Sequence, residues 1–140
     1  TPPNLQGEGG ITVRFEGRVD DMPSHVRRAR VYVSPRLSGL GLSTKLLLGL
    51  ENGVPTVTTP HGIRGYNITQ YDGAQGVLVA PPDDPGAFAD AVSRILTQED
   101  LWQKASDGGV RHARHQFSRE AQRSDVERLL WLAEAHKGGR

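Results

Sequence analysis

Residues 31–59, VYVSPRLSGLGLSTKLLLGLENGVPTVTT, decide the fold of this chain. Two short apolar runs, VYVS (31–34) and PTVTT (55–59), have the length and β-branched content of buried strands. The run TKLLLGLEN between them is typical of a helix, for which Ser43 or Thr44 can serve as the N-cap. A strand, a helix and a second strand joined by short loops predict a βα unit of a parallel sheet.

The same alternation runs along most of the chain and predicts an α/β fold. Gly53 lies just past the helix in 44–52, where a left-handed residue commonly ends a helix. The other predicted elements are strands ITVRF (11–15) and GVLVA (76–80), a helix DDMPSHVRRA (20–29) with Pro23 in its first turn, a packing helix at 86–96, a helix at 101–117 weakened by Gly108 and Gly109, and an amphipathic closing helix around Val126, Leu129, Leu130 and Ala133.

The length fits one domain, because 140 residues bury about two thirds of the unfolded chain's surface. We assign residues 1–10 to a flexible N-terminal segment, residues 11–136 to the single domain and residues 137–140 to a frayed tail. The N-terminus has neither an initiator Met nor the apolar region of a signal peptide, so we expect the chain to be a fragment of a longer protein.

The composition argues against several classes of partner. The formal net charge is +1 and no block of like charge occurs, so neither nucleic acid nor a membrane surface is expected to bind. The chain has no cysteine, which excludes disulfides, thiolate metal sites and a cysteine nucleophile, and fits a reducing, cytoplasmic compartment. It also has no apolar run of transmembrane length.

The glycine-containing loop after the predicted strand 31–34 lies where open α/β sheets bind ligands. Gly39 and Gly41 allow a ligand to approach the backbone, and the following helix N-terminus, with the hydroxyls of Ser43 and Thr44, favours a phosphate. Alternatively, the glycines only satisfy turn geometry and Ser43 is an ordinary cap. The loop lacks the third glycine of the dinucleotide fingerprint and the Gly-Lys-Ser/Thr of a Walker loop.

Residues 30–66 resemble, without gaps, the donor-binding segment of the GT-B glycosyltransferases, in particular the retaining glycosyl transferases group 1 family. The family pattern is P-L-R-x-G-x-G-x-x-x-K-x-x-E-A-x-x-x-G-x-P-V-V-x-T-x-x-G-x-x-G. The matching residues here are Pro35, Gly39, Gly41, Lys45, Gly53, Pro55, Val57, Thr59, Gly62 and Gly65. Flanking segments, from VRFEGRV to the aromatic-Ser pair at Phe117 and Ser118, extend the likeness to residues 11–118.

The resemblance implies a Rossmann-like parallel sheet flanked by helices, as a partial GT-B donor lobe. It also implies transfer of a sugar from a nucleotide-sugar to an acceptor with retention, the nucleoside diphosphate being the leaving group. The nucleotide-sugar is then a co-substrate, no cofactor or metal is expected, and no catalytic residue is assigned. The implied donor-binding residues are Gly39, Leu40, Gly41, Leu42, Ser43, Thr44, Lys45, Leu48 and Glu51, with Arg36, His61 and Arg64 as weaker candidates.

Several of these side chains also have an ordinary structural interpretation. Lys45 is either a cation for the donor phosphates or a solvated lysine in the first helical turn, where the helix dipole disfavours it. Arg36 and Arg64 can instead pair with acidic groups or solubilise the surface. His61 follows a predicted strand near the same edge of the sheet, but it can equally be a turn residue.

Two departures from the family pattern leave a second function open. Leu48 stands where the family has the glutamate that holds the donor's ribose hydroxyls, and Gly49 stands where alanine is usual. Glu51, about one turn further along, is either a partial substitute or an exposed carboxylate. The family's acceptor lobe and first βα units precede the residues seen here, so we expect a missing N-terminal lobe in a longer parent chain. The alternative function is a non-catalytic remnant that acts as an interaction or regulatory module.

Other polar and aromatic residues favour structural roles. His112 and His115 share a predicted helical face, but without a third ligand we expect them to be surface histidines. Trp102 and Trp131 are predicted to be helix-packing aromatics. A solvated helix face is predicted for Arg111, Arg114, Arg119, Arg123 and Arg128.

Overall fold

The computed structural model describes residues 5–6 and 8–137 of the chain. Within this part, the strands and α-helices in chain order are β1 (Leu5–Gln6), β2 (Thr12–Val13), α1 (Met22–Arg27), β3 (Tyr32–Ser34), α2 (Thr44–Glu51), β4 (Thr56–Thr58), β5 (Val77–Val79), α3 (Pro85–Thr97), α4 (Glu99–Phe117) and α5 (Arg119–Lys137).

A parallel sheet with the strand order β3-β4-β5 forms the centre of the fold. Val57 in the middle strand is in register with Val33 on one side and with Leu78 on the other. The connection from β3 to β4 contains α2, as the strand-helix-strand pattern of residues 31–59 predicts. The predicted α/β fold, with a parallel sheet flanked by helices, is confirmed.

The prediction that residues 11–15 form a strand of this parallel sheet is wrong. Only Thr12–Val13 is extended, and it pairs antiparallel with Leu5–Gln6. Ile11, Val13 and Phe15 are exposed, with 64 % of Ile11 accessible. Their strict alternation with polar residues is typical of a half-exposed strand, whereas the central strand β4 of the parallel sheet is buried at all three positions.

The boundaries of the domain at residues 11 and 136 stay a prediction. Residues 1–4 and 7, within the predicted flexible segment, and residues 138–140, within the predicted frayed tail, lie outside the described residues. Residues 5–6 form β1, and residues 8–10 form a short 3-10 turn.

Helices cover both faces of the sheet because alternate strand residues point to opposite sides. On one face, Val77 packs with Leu46 and Leu50 of α2 and with the buried Tyr66. On the other face, the core contains Val57, Leu78, Ala91, Ile95 and Ala105. Helix α4 contributes residues to both clusters, so it packs with α2 on one face of the sheet and with α3 on the other.

Gly108 and Gly109 do not interrupt α4, which is continuous from Glu99 to Phe117. Both glycines are buried. A side chain at Gly108 would meet the carbonyl of Ala74, and one at Gly109 would lie 3.3 Å from the Cα of Gly76. These glycines therefore allow the helix to approach the loop before β5 closely, and the predicted weak points are packing contacts.

The helix predicted around Val126 and Ala133 is present as α5, but neither its apolar residues nor its tryptophan is buried. Trp131 is 66 % exposed, and Leu129 and Leu130 are also exposed. The prediction that Trp131 packs between helices is therefore wrong within the described residues. Trp102 does pack, and its Nε1–H donates to the carbonyl of Arg30 at 2.7 Å.

Candidate functional site

The loop at residues 35–43 leaves the carboxyl end of β3 and leads into α2. Beside it is an open concavity of about 710 Å³. It is lined by Met22, Tyr32, Val33, Ser34, Pro35, Arg36, Leu42, Ser43, Thr44 and Lys45. Five of these residues, Arg36, Leu42, Ser43, Thr44 and Lys45, were predicted from the sequence as site residues.

The start of α2 presents hydrogen-bond donors at this concavity. Ser43 is the N-cap by backbone position, but its hydroxyl makes no capping hydrogen bond. Among the described residues, no acceptor faces the backbone N–H groups of Thr44 and Lys45. These donors and the positive end of the helix dipole make this a favourable place for an anion.

A buried tyrosine of the core is hydrogen-bonded to the beginning of α2. The hydroxyl of Tyr66 donates to the carbonyl of Ser43 at 2.5 Å, and that carbonyl also accepts from the backbone N–H of Leu46 at 2.9 Å. Burial raises the pKa of Tyr66 above its ordinary value of 10.0. A phenol is protonated at neutral pH in any case, and the raised pKa extends its role as donor to higher pH.

Arg36 is engaged with the backbone of the glycine loop. Its Nε donates to the carbonyl of Ser38 at 3.1 Å, its Nη2 to that of Leu40 at 2.9 Å and its Nη1 to that of Gly41 at 3.4 Å. A carbon on Gly39, whose φ is +108°, would lie 2.9 Å from the same guanidinium. The loop thus folds around this side chain, and Gly39 leaves room for it.

The last residue of β4 and residues just after it hold the loop from the other side. The hydroxyl of Thr58 donates to the carbonyl of Ser34 at 2.7 Å, and the hydroxyl of Thr59 donates to that of Arg36. His61 Nε2 lies 2.7 Å from the carbonyl of Gly39, and because a carbonyl only accepts, this nitrogen carries the hydrogen. His61 therefore has a specific contact with the predicted donor loop.

Two cations near the site have no partner among the described residues. Lys45 and Arg64 are both exposed, and no hydrogen bond or ion pair joins either side chain to the described part of the chain. Lys45 lines the concavity, whereas Arg64 is not among its lining residues. Lys45 is thus the cation best placed to meet an anion at the start of α2.

The two positions that depart from the family pattern have different surroundings. Leu48 is half-buried one helical turn beyond Thr44 and is not among the lining residues. Gly49 is buried, and a Cβ there would lie 2.5 Å from Oγ1 of Thr56, which explains why no alanine stands there. Leu48 has an apolar side chain and Gly49 has none, so neither position provides a side-chain hydrogen-bond acceptor.

Glu51 lies away from the concavity. It is seven residues beyond Thr44, about 10 Å along the helix axis, and it lines a second, smaller cleft of about 220 Å³. The other lining residues of that cleft include Arg114 and Phe117. Glu51 is therefore not among the residues that line the concavity at the start of α2.

The predicted loop residues Gly39, Leu40 and Gly41 border the site rather than line it. Leu40 is 93 % exposed, and Gly41 has a φ of +78° with open space where a Cβ would point. Like these three, His61 is not among the lining residues of the concavity.

The sequence analysis did not identify the other five lining residues as site residues: Met22, Tyr32, Val33, Ser34 and Pro35. Met22, Tyr32 and Val33 form an apolar wall, and Val33 is 49 % exposed on the edge strand. Burial raises the pKa of the Tyr32 hydroxyl above 10.0. Tyr32 and Val33 could have been identified from their position in the sequence, because they belong to the strand that leads into the loop.

The predicted surface histidines differ from one another. His115 is exposed, but His112 is half-buried, with Nε2 lying 2.6 Å from the carbonyl of Tyr66 and Nδ1 lying 3.2 Å from Gln75 Nε2. The expectation that His112 is a surface histidine is therefore wrong. Across residues 5–6 and 8–137, no three His, Cys, Asp or Glu side chains are grouped in a way that would hold a metal ion.

The described helices include none that is both long enough and apolar enough to span a membrane. The fold and the site together define an α/β domain with a polar concavity at the carboxyl end of a parallel strand, next to a helix N-terminus. A family model described as glycosyl transferases group 1 matches residues 2–98, which include the whole concavity. The chain belongs to this family, because the match covers more than half of it. No curated protein and no solved structure matches the chain significantly.

Proposed function

We propose that this chain is the donor-binding domain of a retaining glycosyltransferase of the GT-B type. It binds a nucleotide-sugar and transfers the sugar to an acceptor, for which an N-terminal lobe of a longer parent chain supplies the other side of the cleft. The nucleotide-sugar is a co-substrate and no metal takes part. The protein works in the cytoplasm, in keeping with its lack of cysteine.

One observation supports this proposal most strongly: hydrogen-bond donors and a cation without a partner among the described residues lie together at the start of α2. The first N–H groups of the helix, the hydroxyl of Thr44 and the ammonium of Lys45 all belong to residues of one concavity. A diphosphate leaving group requires such neutralisation of its developing charge. Membership of the glycosyltransferase family supplies the reaction class.

A second function is favoured by one specific observation. Leu48 offers no acceptor to a ribose, and Glu51 lines a different cleft. A chain that has lost this contact is compatible with a non-catalytic module that retains the fold for interaction or regulation. A third case lies between the glycosyltransferase and the non-catalytic module: a chain that binds a diphosphate but does not recognise the ribose. The two experiments below distinguish these three cases.

We expect the chain to bind uridine diphosphate, used as a probe, at the start of α2. Replacing Lys45 with methionine should weaken this binding about threefold to fivefold, because an exposed ion pair contributes up to about 1 kcal/mol. Titration calorimetry measures the change. The matched control is Lys104→Met, which removes the same charge from α4, where Lys104 pairs with Asp72 at 2.7 Å. Equal effects of the two substitutions would contradict a site at Lys45.

Restoring a carboxylate on α2 should restore ribose recognition. We expect Leu48→Glu to strengthen the binding of uridine diphosphate about tenfold, because hydrogen bonds to a charged acceptor contribute about 1.5–3 kcal/mol. Inorganic pyrophosphate has no ribose, so its binding should not improve. The control is Leu96→Glu, at an exposed position of α3. If Leu48→Glu leaves the preference for the nucleotide unchanged, the ribose of the donor does not bind beside position 48.

A further inference from the structure

Four consecutive carbonyl groups of the loop at 35–43, those of residues 38–41, face side chains. Those of Ser38, Leu40 and Gly41 accept hydrogen bonds from the Arg36 guanidinium, and the carbonyl of Gly39 accepts one from His61. Four consecutive peptide groups of the loop are therefore oriented by two side chains. Arg36 is at the start of the loop, and His61 belongs to the segment that follows β4 in the chain.

The orientation of these carbonyls determines where the loop's N–H groups point. The described residues contain no cis peptide bond, and in a trans peptide the N–H points opposite to the C=O. The N–H groups of Gly39, Gly41 and Leu42 consequently point away from Arg36, and that of Leu40 points away from His61. In the described part of the chain, none of these four N–H groups has an acceptor.

We infer that Arg36 and His61 are positioning residues, which hold the loop so that the backbone N–H groups of Gly39, Gly41 and Leu42 face a bound diphosphate. This inference rests on the proposed donor site. Successive N–H groups in a loop with left-handed glycines form a known type of anion site, and Gly39 and Gly41 have φ values of +108° and +78°. Arg36 acts through the loop carbonyls and does not itself contact the phosphates.

The test is a titration of the 140-residue chain with inorganic pyrophosphate, followed by the chemical shifts of its backbone amides. In the unsubstituted chain, we expect the amides of residues 39–42 to shift together with those of Thr44 and Lys45. Arg36→Met should weaken binding about tenfold, and the amides of residues 39–42 should lose their shared response. Arg94→Met, which removes an exposed arginine of α3, should change neither result.

Two conservative variants separate positioning from charge. Arg36→Lys keeps the charge, but an ammonium lacks the planar array of donors that reaches three carbonyls, so it should bind pyrophosphate as weakly as Arg36→Met. His61→Phe should weaken binding about threefold, and His61→Gln, which keeps a donor, should restore it. If Arg36→Lys restores binding, Arg36 is a phosphate ligand and the inference is overturned.

The outcomes also separate this inference from the proposed function. If pyrophosphate shifts the amides of Thr44 and Lys45 but not those of residues 39–42, the donor site stands and only the positioning role fails. If no amide of the unsubstituted chain responds, both proposals are overturned. Should Arg36→Met fail to fold, as judged by loss of dispersed core resonances, the pair His61→Phe and His61→Gln decides the question.

Discussion

Replacing Gly76 with alanine is expected to destabilise the protein by about 2–5 kcal/mol, a large part of the total stability of a domain this size. Gly76 has a φ of +86°, which a residue with a side chain adopts only at a cost. A Cβ at this position would also meet the Cα of Gly109 in α4 and would lie 2.6 Å from Cδ2 of Leu50 in α2. Backbone strain and overpacking therefore add at the point where two helices meet the loop before β5.

Gly17 provides the matched control for this substitution. Its φ is +65°, but among the described residues, its two chain neighbours aside, nothing lies within 4 Å of the place where its Cβ would be. Gly17→Ala should therefore show only the strain of the left-handed conformation, about 1–2 kcal/mol. Urea denaturation followed by circular dichroism gives both free energies of unfolding. Equal losses for the two variants would show that the contact of Gly76 with Gly109 and Leu50 is unimportant.

Tyr66→Ala is expected to cost about 3–5 kcal/mol, because it removes a large aromatic side chain from a closed core. Tyr66 is 0 % exposed, and its ring lies 5.1 Å from that of Phe117, measured between the ring centroids. It also packs in the cluster formed with Leu46 and Leu50 of α2. The surrounding helices and strands cannot fill the space without moving, so a cavity remains.

Tyr66→Phe isolates the hydroxyl. This variant keeps the ring but loses the hydrogen bond to the carbonyl of Ser43, so it should cost only about 1 kcal/mol. Trp131→Ala, at an exposed position of α5, serves as a control for the loss of an aromatic ring and should change the free energy of unfolding by less than about 0.5 kcal/mol. A loss for Tyr66→Ala no larger than that of Tyr66→Phe would contradict the packing role of the ring.

The sequence was sufficient for the parallel βα core because its signals there are local. Runs of β-branched residues form the strands, α2 begins after Ser43, and Gly53 follows its end with a φ of +66°. The placement of the loop at 35–43 beside a concavity also follows, since the carboxyl end of a parallel strand leads into the next helix. The prediction for residues 11–15 was wrong because an alternating pattern predicts an extended segment but does not say which strand it pairs with.

Other features depend on contacts between residues that are distant in the chain. The sequence suggested that Gly108 and Gly109 weaken a helix, and only the packing of α4 on residues 74–76 shows that they permit a close approach. Similarly, the sequence left Glu51 open as a substitute for a carboxylate at position 48. Its distance along α2 and its neighbours from α4 place it in the second cleft.

The sequence by itself therefore determined the class of fold, the position of the candidate site and the absence of a carboxylate at Leu48. The tertiary structure decided how the loop is arranged, because His61 and Gly39 are 22 residues apart and meet only when β4 lies beside β3. It likewise decided that Arg36 donates to loop carbonyls rather than standing free. A side chain's identity is written in the sequence, but its hydrogen-bond partners depend on which backbone groups the fold brings within 3 Å or so of it.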